Sequence, residues 1–404
     1  MKGNKGKKKN KNENNKEKVE KKEENKNETS SIPKSIQEKD DKIVLIDIGT
    51  RNCKAGLCGD TKPNIIIPTC LGKTNYNFYT TEDVEYDPTI EEIINPIEHG
   101  TIKDFECFNI IISKIFEMLG IEPEGQNLVL TEPSLNSIKN RQDLFGYMFE
   151  TFKIENLFIA NQALLSLYST GKFTGIVVES GAGVTQIAPI FNTRVSTYAV
   201  NRIDFGGNEL SEYLNRLLSE KNKHFEKKKY LKFLEQIKKE ACYVENKYKK
   251  HLGEVEPYEF KLPDGNSITI QTERTTVPEA IFRPDLLGKD WDGIHDLFFN
   301  SIEKIKEEGQ KPLYENIIVS GGNTMFPGFE KKLEKKIKKK FGNNKNARFI
   351  HVDDKMNAAW IGGSSFCYTL NIDNDFVSKS DYEELGFNNC IKRIDSIQAY
   401  VSKI

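Results

Sequence analysis

Two stretches of this chain share one alternation of apolar and polar positions. Residues 43–57 read IVLIDIGTRNCKAGL and residues 175–190 read GIVVESGAGVTQIAPI. Each runs a β-branched strand into an acid, a small turn with glycine, and a second alternating strand, the pattern of a β-hairpin. Aligning Asp47 with Glu179 sets the two copies 132 residues apart. Elsewhere the period switches between two and helical spacing. Asn64–Pro68 predicts a short strand, Phe105–Leu119 an amphipathic helix, and Asn127–Thr131 a strand. Ser137–Thr151 predicts a helix, and Leu157–Ala160 a strand that runs into a helix through Leu164–Tyr168. After the second hairpin, helices are predicted over Glu209–Leu218 and Lys229–Lys249, then a turn at Leu262–Gly265 and a strand over Ser267–Gln271. Glu315–Ser320 predicts a buried strand opening onto Gly321 and Gly322, followed by a Lys-rich helix over Phe329–Phe341 with a solvated charged face. Trp360–Leu370 predicts a helix with Gly362 and Gly363 near its start. Residues 73–95 have no clear period and predict a loop or a small mobile subdomain. Strands alternating with helices imply an α/β protein with a mixed sheet.

A buried strand ending in an acid and a Gly/Ser/Thr turn aims backbone N–H groups at an anion and poises a carboxylate for the anion's metal. One such hairpin is ordinary. Two in matching positions imply a duplicated domain closing on a nucleotide.

At 404 residues, 29% charged and 37% hydrophobic, the chain has core for two or three domains and the composition of a soluble protein. No apolar run approaches the roughly 18 residues of a membrane helix, and the basic start MKGNKGKKKN lacks the apolar stretch of a secretory signal. Seven cysteines without a CxxC pair predict reduced, packing thiols in an intracellular protein and no cysteine metal site. Residues 1–40 carry 13 Lys against seven Glu and one Asp within a chain of net charge −1. That Lys/Asn/Glu-rich segment predicts a disordered, solvated tail, with Lys7–Lys9 a candidate nuclear-import or polyanion patch. The acidic remainder argues against a dedicated nucleic-acid binder.

The motifs DIGTRNCKAGLCGD, PIEHG (96–100), LTEPSLN (130–136), MFETF (148–152), TGIVVESGAGVT, LPDGNSITI, GIHDLFFNSI (293–302), IIVSGGNTMFPG and WIGGS (360–364) occur in this order. Together they resemble the actin and actin-related protein family over residues 43 to about 393. The resemblance implies an actin-like ATPase fold: two duplicated RNase H-like domains around a nucleotide cleft, each with a smaller inserted subdomain. The first domain is expected over 41–169 plus 358–404, with its small subdomain at about 73–95. The second is expected over 170–357, with its small subdomain at about 206–289. The cleft is expected to hold ATP or ADP with Mg²⁺ or Ca²⁺. By this resemblance Asp47 and Glu179 face the metal through water. Gly49, Thr50, Arg51, Asn52 and Lys54 form the first phosphate loop, Lys54 adding a point charge. Ser180, Gly181, Ala182, Gly183 and Val184 form the opposing cradle. Gly321, Gly322, Thr324 and Met325 stand on the adenosine side, and Gly207 and Lys238 line the other wall. Gln162 matches the glutamine that positions the attacking water.

Several residues depart from the family pattern. Gln186 replaces the histidine that helps order the water, Ala182 an aspartate, and Glu179 an aspartate one methylene shorter. Arg51 replaces a glycine, where a positive φ would be disfavoured; it is free to add a phosphate contact or to project away. These changes predict retained ATP binding with slow or absent hydrolysis, because a misplaced nucleophile costs rate while binding survives. Between Gly72 and Pro96 the subunit-insertion loop is replaced by the shorter, acidic NYNFYTTEDVEYD, which predicts poor self-polymerisation. RPDLLGKDWDG (283–293) resembles the mobile plug but is polar, and reads as an exposed loop. Three functions are compatible with this pattern. The first is an ATP-binding cytoskeletal or scaffold subunit in the cytoplasm, partnered by other protein subunits such as actin or actin-binding proteins. The second is a nuclear subunit of a chromatin-remodelling or acetyltransferase complex, which the Lys-rich tail favours. The third, a sugar kinase or chaperone ATPase, is disfavoured by the actin-type PIEHG, GIHDLFFNSI and WIGGS.

Overall fold

A computed structural model describes residues 42–74, 77–80, 84, 90–221, 233–246, 255–262, 265–341 and 346–400. Two mixed sheets dominate. The first has the order Val377–Ser378, Asn156–Asn161, Asn127–Glu132, Ile43–Ile48, Asn52–Leu57 and Ile65–Pro68. Its centre is the first predicted hairpin, antiparallel to Asn52–Leu57 and parallel to Asn127–Glu132. The second sheet runs Phe349–Ile350, Ile317–Ser320, Gly175–Ser180, Thr185–Phe191, Arg194–Ser196 and Ala399–Tyr400, with Asn201–Ile203 also on Thr185–Phe191. Its centre repeats the arrangement: an antiparallel hairpin beside a parallel strand on its outer flank. Both central strands are almost wholly buried, as strands covered on both faces must be. The duplication inferred from the hairpins therefore extends to strand order.

The helices Gln162–Tyr168 and Ala358–Phe366 pack against each other between the sheets, and glycine makes their approach possible. A Cβ on Gly362 would run into the Leu165 carbonyl and lie 2.8 Å from the Ser169 nitrogen. Beside it, fully buried Trp360 donates its indole N–H to the Leu45 carbonyl at 3.2 Å. Gly362→Ala is expected to lower stability by about 1–3 kcal/mol, the range for overpacked cores, read as a lower urea midpoint at constant m. An unchanged midpoint would contradict this packing.

Several elements differ from the sequence expectations. Helix Phe105–Leu119 forms as predicted, capped by Asp104, whose side chain accepts from the Cys107 N–H, and ended by left-handed Gly120. The helix expected over 137–151 is α-helical only to Gly146 and finishes as a π-helical turn, Tyr147–Thr151. Within the expected helix 229–249, the described helix is Leu234–Ala241. It stops because the Tyr243 and Val244 N–H groups bond to the Arg274 and Pro327 carbonyls, at 2.9 and 2.8 Å. Residues 222–232 and 247–250 lie outside the described residues. Leu71–Lys73, Phe78–Tyr79 and Glu92–Ile94 form a small antiparallel sheet in the region read as a loop or small mobile subdomain, of which residues 75–76, 81–83 and 85–89 lie outside the described residues. In the plug-like segment, Trp291 packs on Phe205 at 5.9 Å between ring centres. The expectation of seven reduced cysteines fails for one pair: Cys58 and Cys367 are disulfide-bonded, their Cα atoms 6.3 Å apart. The other five are buried and outside any disulfide. Among the described residues no helix is long and apolar enough to cross a membrane. The tail, with Lys7–Lys9, lies outside the described residues.

Candidate functional site

The two hairpins present their acids in the same register. Asp47 stands opposite Lys54 and Glu179 opposite Gln186, so each acid faces the residue seven positions on. In the first turn Gly49 N–H donates to the Asn52 carbonyl at 3.2 Å, and a Cβ on Gly49 would come within 2.5 Å of that oxygen. Thr69 fixes the turn from behind, its hydroxyl donating to the Gly49 carbonyl at 2.8 Å and its N–H to the Arg51 carbonyl at 2.7 Å. In the second turn the Gly181 and Ala182 carbonyls accept from Gly207 and Asn208 N–H at 3.0 and 2.8 Å. That contact docks the start of helix Gly207–Lys221 on the turn. The Thr50 hydroxyl accepts the Gly100 N–H at 3.0 Å, and the His99 ring meets the Gly183 carbonyl at 2.8 Å, so the PIEHG loop joins both turns.

Asp47 is only 2% exposed and fully engaged. Lys54 Nζ donates to its Oδ2 at 2.7 Å, while the Thr131 hydroxyl and Gln162 amide donate to Oδ1 at 2.6 and 3.0 Å. Burial pushes the Asp47 carboxyl up, but Lys54 and these donors outweigh it and hold it below the usual carboxylate range. For Lys54, burial acts downward and the Asp47 charge prevails, holding the ammonium above its ordinary value. Glu179 behaves oppositely. Burial pushes it up to about 7, the Gln186 amide offsetting only part of this and the Asp47 charge adding to it.

Between the turns lies a cleft of about 380 Å³, within the size range of small-molecule sites. The structure brings the residues expected around a nucleotide onto this cleft, with two exceptions. Ser180 is buried behind its turn, bonded to Thr185 and Asn323, and Thr324 turns inward to the Gly321 carbonyl at 2.7 Å. Arg51 keeps a negative φ, so the glycine it replaces was not needed for backbone shape. It lines the cleft, where its charge favours the ionised Glu235 carboxylate and disfavours the Lys238 ammonium. Lys238 reaches the wall as expected, yet its ammonium is spent on the Gly207 carbonyl at 2.5 Å and on Glu235 at 2.8 Å. Burial leaves that ammonium below its ordinary value despite Glu235. Glu235, Lys239, Phe326, Lys355 and Met356 are among the further lining residues that were missed. Glu235 had a signal, because it stands one helical turn before Lys238.

The donor set suits a hard divalent cation, since Asp47, Glu179 and Gln162 offer oxygen ligands to one space. Both Asp47 oxygens already accept hydrogen bonds, so contact through water fits better than direct ligation. Glu179 gives a pH signature in the metal-free, nucleotide-free protein. Its folded value is above the unfolded one, so the folded state binds the extra proton and stability falls as pH rises from about 4.5 to 7. Glu179→Gln is expected to remove roughly 2–3 kcal/mol of that decline, measured as urea midpoints at pH 5 and pH 8. Parallel pH curves for the variant and the parent chain would contradict a desolvated carboxyl.

One comparison with known proteins bears on this arrangement of two sheets around a cleft. The family model described as actin matches residues 38–395, a span that contains both hairpins, every residue of the cleft and all strands of both sheets except Ala399–Tyr400. The fold is accordingly that of the actin-like ATPases, and this chain belongs to the actin family.

Proposed function

We propose that this chain is an ATP-binding, actin-related subunit that hydrolyses nucleotide slowly and polymerises poorly. One observation carries the reading: Asp47 and Glu179 occupy equivalent places in two repeated hairpins and line one cleft with Lys54 and Arg51. Asp47 and Glu179 would hold a divalent cation through water, and it would supply neutralisation of phosphate charge there. Gly49–Lys54 and Gly181–Val184 cradle the phosphates on backbone N–H groups, and the Gly321–Gly322 turn with Met325 faces the adenosine. Ser180 and Thr324 support these loops from behind. Two domains, 41–169 plus 358–404 and 170–357, close on the ligand.

The hydrolytic apparatus is where support for turnover is weakest. Gln162 donates through one amide nitrogen to Asp47, to the Ile48 carbonyl and to Thr131, at 3.0, 3.0 and 3.1 Å. Gln186 is likewise engaged at both ends. A general base or water-orienting group must reach its water. Here Gln186 is committed at both ends and Gln162 through its nitrogen, so the Gln162 carbonyl oxygen is the one amide group left to orient a water. In a single-turnover assay, bound ATP is expected to be cleaved at least about a hundredfold more slowly than by conventional actin. Cleavage at an equal rate would refute the reading, and pelleting of filaments at micromolar protein would refute poor self-assembly. We place the protein among cytoskeletal or scaffold subunits in the cytoplasm, with other protein subunits as partners. The Lys-rich residues 1–40 favour a nuclear complex instead. Purification of the native protein decides between them by whether actin-associated or chromatin-associated subunits accompany it.

A further inference from the structure

Gln186 stands opposite Glu179 across the second hairpin. Its Nε2 donates to Glu179 Oε2 at 2.6 Å, and its Oε1 accepts the Ser134 backbone N–H at 2.9 Å. Gln186 is 1% exposed and Ser134 2%. Ser134 follows strand Asn127–Glu132 of the first sheet, so the second bond leaves the sheet that carries Gln186 and ends on the other. The Ser134 loop is itself held in place. Its hydroxyl accepts from Asn161 Nδ2 at 3.0 Å, and its carbonyl accepts from Arg202 at 2.9 Å. Asn161 in turn caps the helix that begins at Gln162, its side chain accepting the Leu164 N–H at 3.2 Å.

We propose that Gln186 is a positioning residue, a buried clasp that ties the acid of the second hairpin to the first sheet and holds the cleft closed behind its ligand. A carboxamide carries a donor and an acceptor at opposite ends of one planar group, so it satisfies a carboxylate and an N–H together. The bond to Glu179 is charge-assisted when that group is ionised, and both bonds lie where solvent cannot replace them. Opening the cleft at this point strands a buried N–H and a buried carboxyl, which is why the clasp opposes ligand escape. The part concerning escape rests on the nucleotide reading above; the clasp itself forms without ligand.

The test follows the Ser134 amide by hydrogen exchange in the nucleotide-free, full-length protein. Q186L keeps the volume and removes both bonds; it is expected to raise Ser134 exchange about tenfold or more while the central strands stay protected. Q186E, compared at about pH 9 where the proton the two carboxyl groups would share is lost, sets like charges against each other and is expected to do the same. E179Q/Q186E reverses the pair and is expected to restore protection, a rescue that loss of packing alone does not give. Equal Ser134 exchange in the parent chain and in Q186L, or no rescue by the swap, overturns the clasp. If Q186L does not fold, the comparison of Q186E with E179Q/Q186E decides alone. Release of a fluorescent ATP analogue is expected to be about tenfold faster from Q186L. Unchanged release with lost protection overturns the closing role. Restored protection in a protein that retains no analogue leaves the clasp standing and removes the nucleotide reading instead.

Discussion

Lys54→Met is expected to lower ATP affinity roughly a hundredfold, the effect of losing charge-assisted bonds to phosphate in a low-dielectric cleft. It is also expected to destabilise the empty protein by about 3 kcal/mol or more at neutral pH, because Asp47 is left buried without its counter-ion. The two effects separate in a double variant. K54M/D47N removes both charges, so most of the stability is expected to return while ATP affinity stays low. Calorimetric titration together with urea unfolding of the two variants and the parent checks both arms. The sign of the pH effect follows from Asp47. Its folded value lies below the unfolded one through Lys54, so the pair's contribution is present at neutral pH and lost on acidification. ATP affinity in K54M equal to that of the parent would show that Lys54 serves only the fold.

A second large effect is expected at Glu279. Its carboxylate pairs with Lys332 at the contact between helices Glu273–Glu279 and Phe329–Phe341, and both residues are 2% exposed. Burial pushes the Glu279 carboxyl up and the Lys332 ammonium down, so desolvation exceeds their mutual attraction. Such a pair contributes little in net terms but is expensive to break. Glu279→Ala is therefore expected to cost about 3–5 kcal/mol, whereas E279L/K332M is expected to recover most of that loss. Thermal and urea unfolding of both variants provide the check; a cost under about 0.5 kcal/mol for Glu279→Ala would place the pair in solvent rather than in the core.

The parts of this fold that local sequence specifies are the parts that were legible. Both hairpins form because each is a β-branched run closed by a tight turn, and their shared register follows from equal spacing between acid and partner. Helix Phe105–Leu119 carries its own cap, its own apolar stripe and its own glycine stop. What was hidden depends on distant partners. Cys58 and Cys367 are 309 residues apart in sequence and meet only once the C-terminal helices pack back on the first sheet. The helix expected through residue 249 ends early because the Arg274 and Pro327 carbonyls take its next N–H groups. The last strand, Ala399–Tyr400, joins the second sheet although Val377–Ser378 joins the first. In the site, residue types and order marked the acids, the turns and Lys54. They did not reveal that Gln186 reaches Ser134, or that the Arg51 charge favours the ionised Glu235, since both link residues of different halves. Gln186 was legible as a replaced residue and became informative only with its two bonds in view.

Calorimetric titration of Mg-ATP into the folded, nucleotide-free full-length chain tests the assignment most directly. A single site per chain with a dissociation constant in the micromolar range or tighter is expected. It should weaken at least about tenfold when Asp47 is replaced by alanine. A folded protein that takes up no nucleotide, or one that binds it equally well without Asp47, would contradict the account.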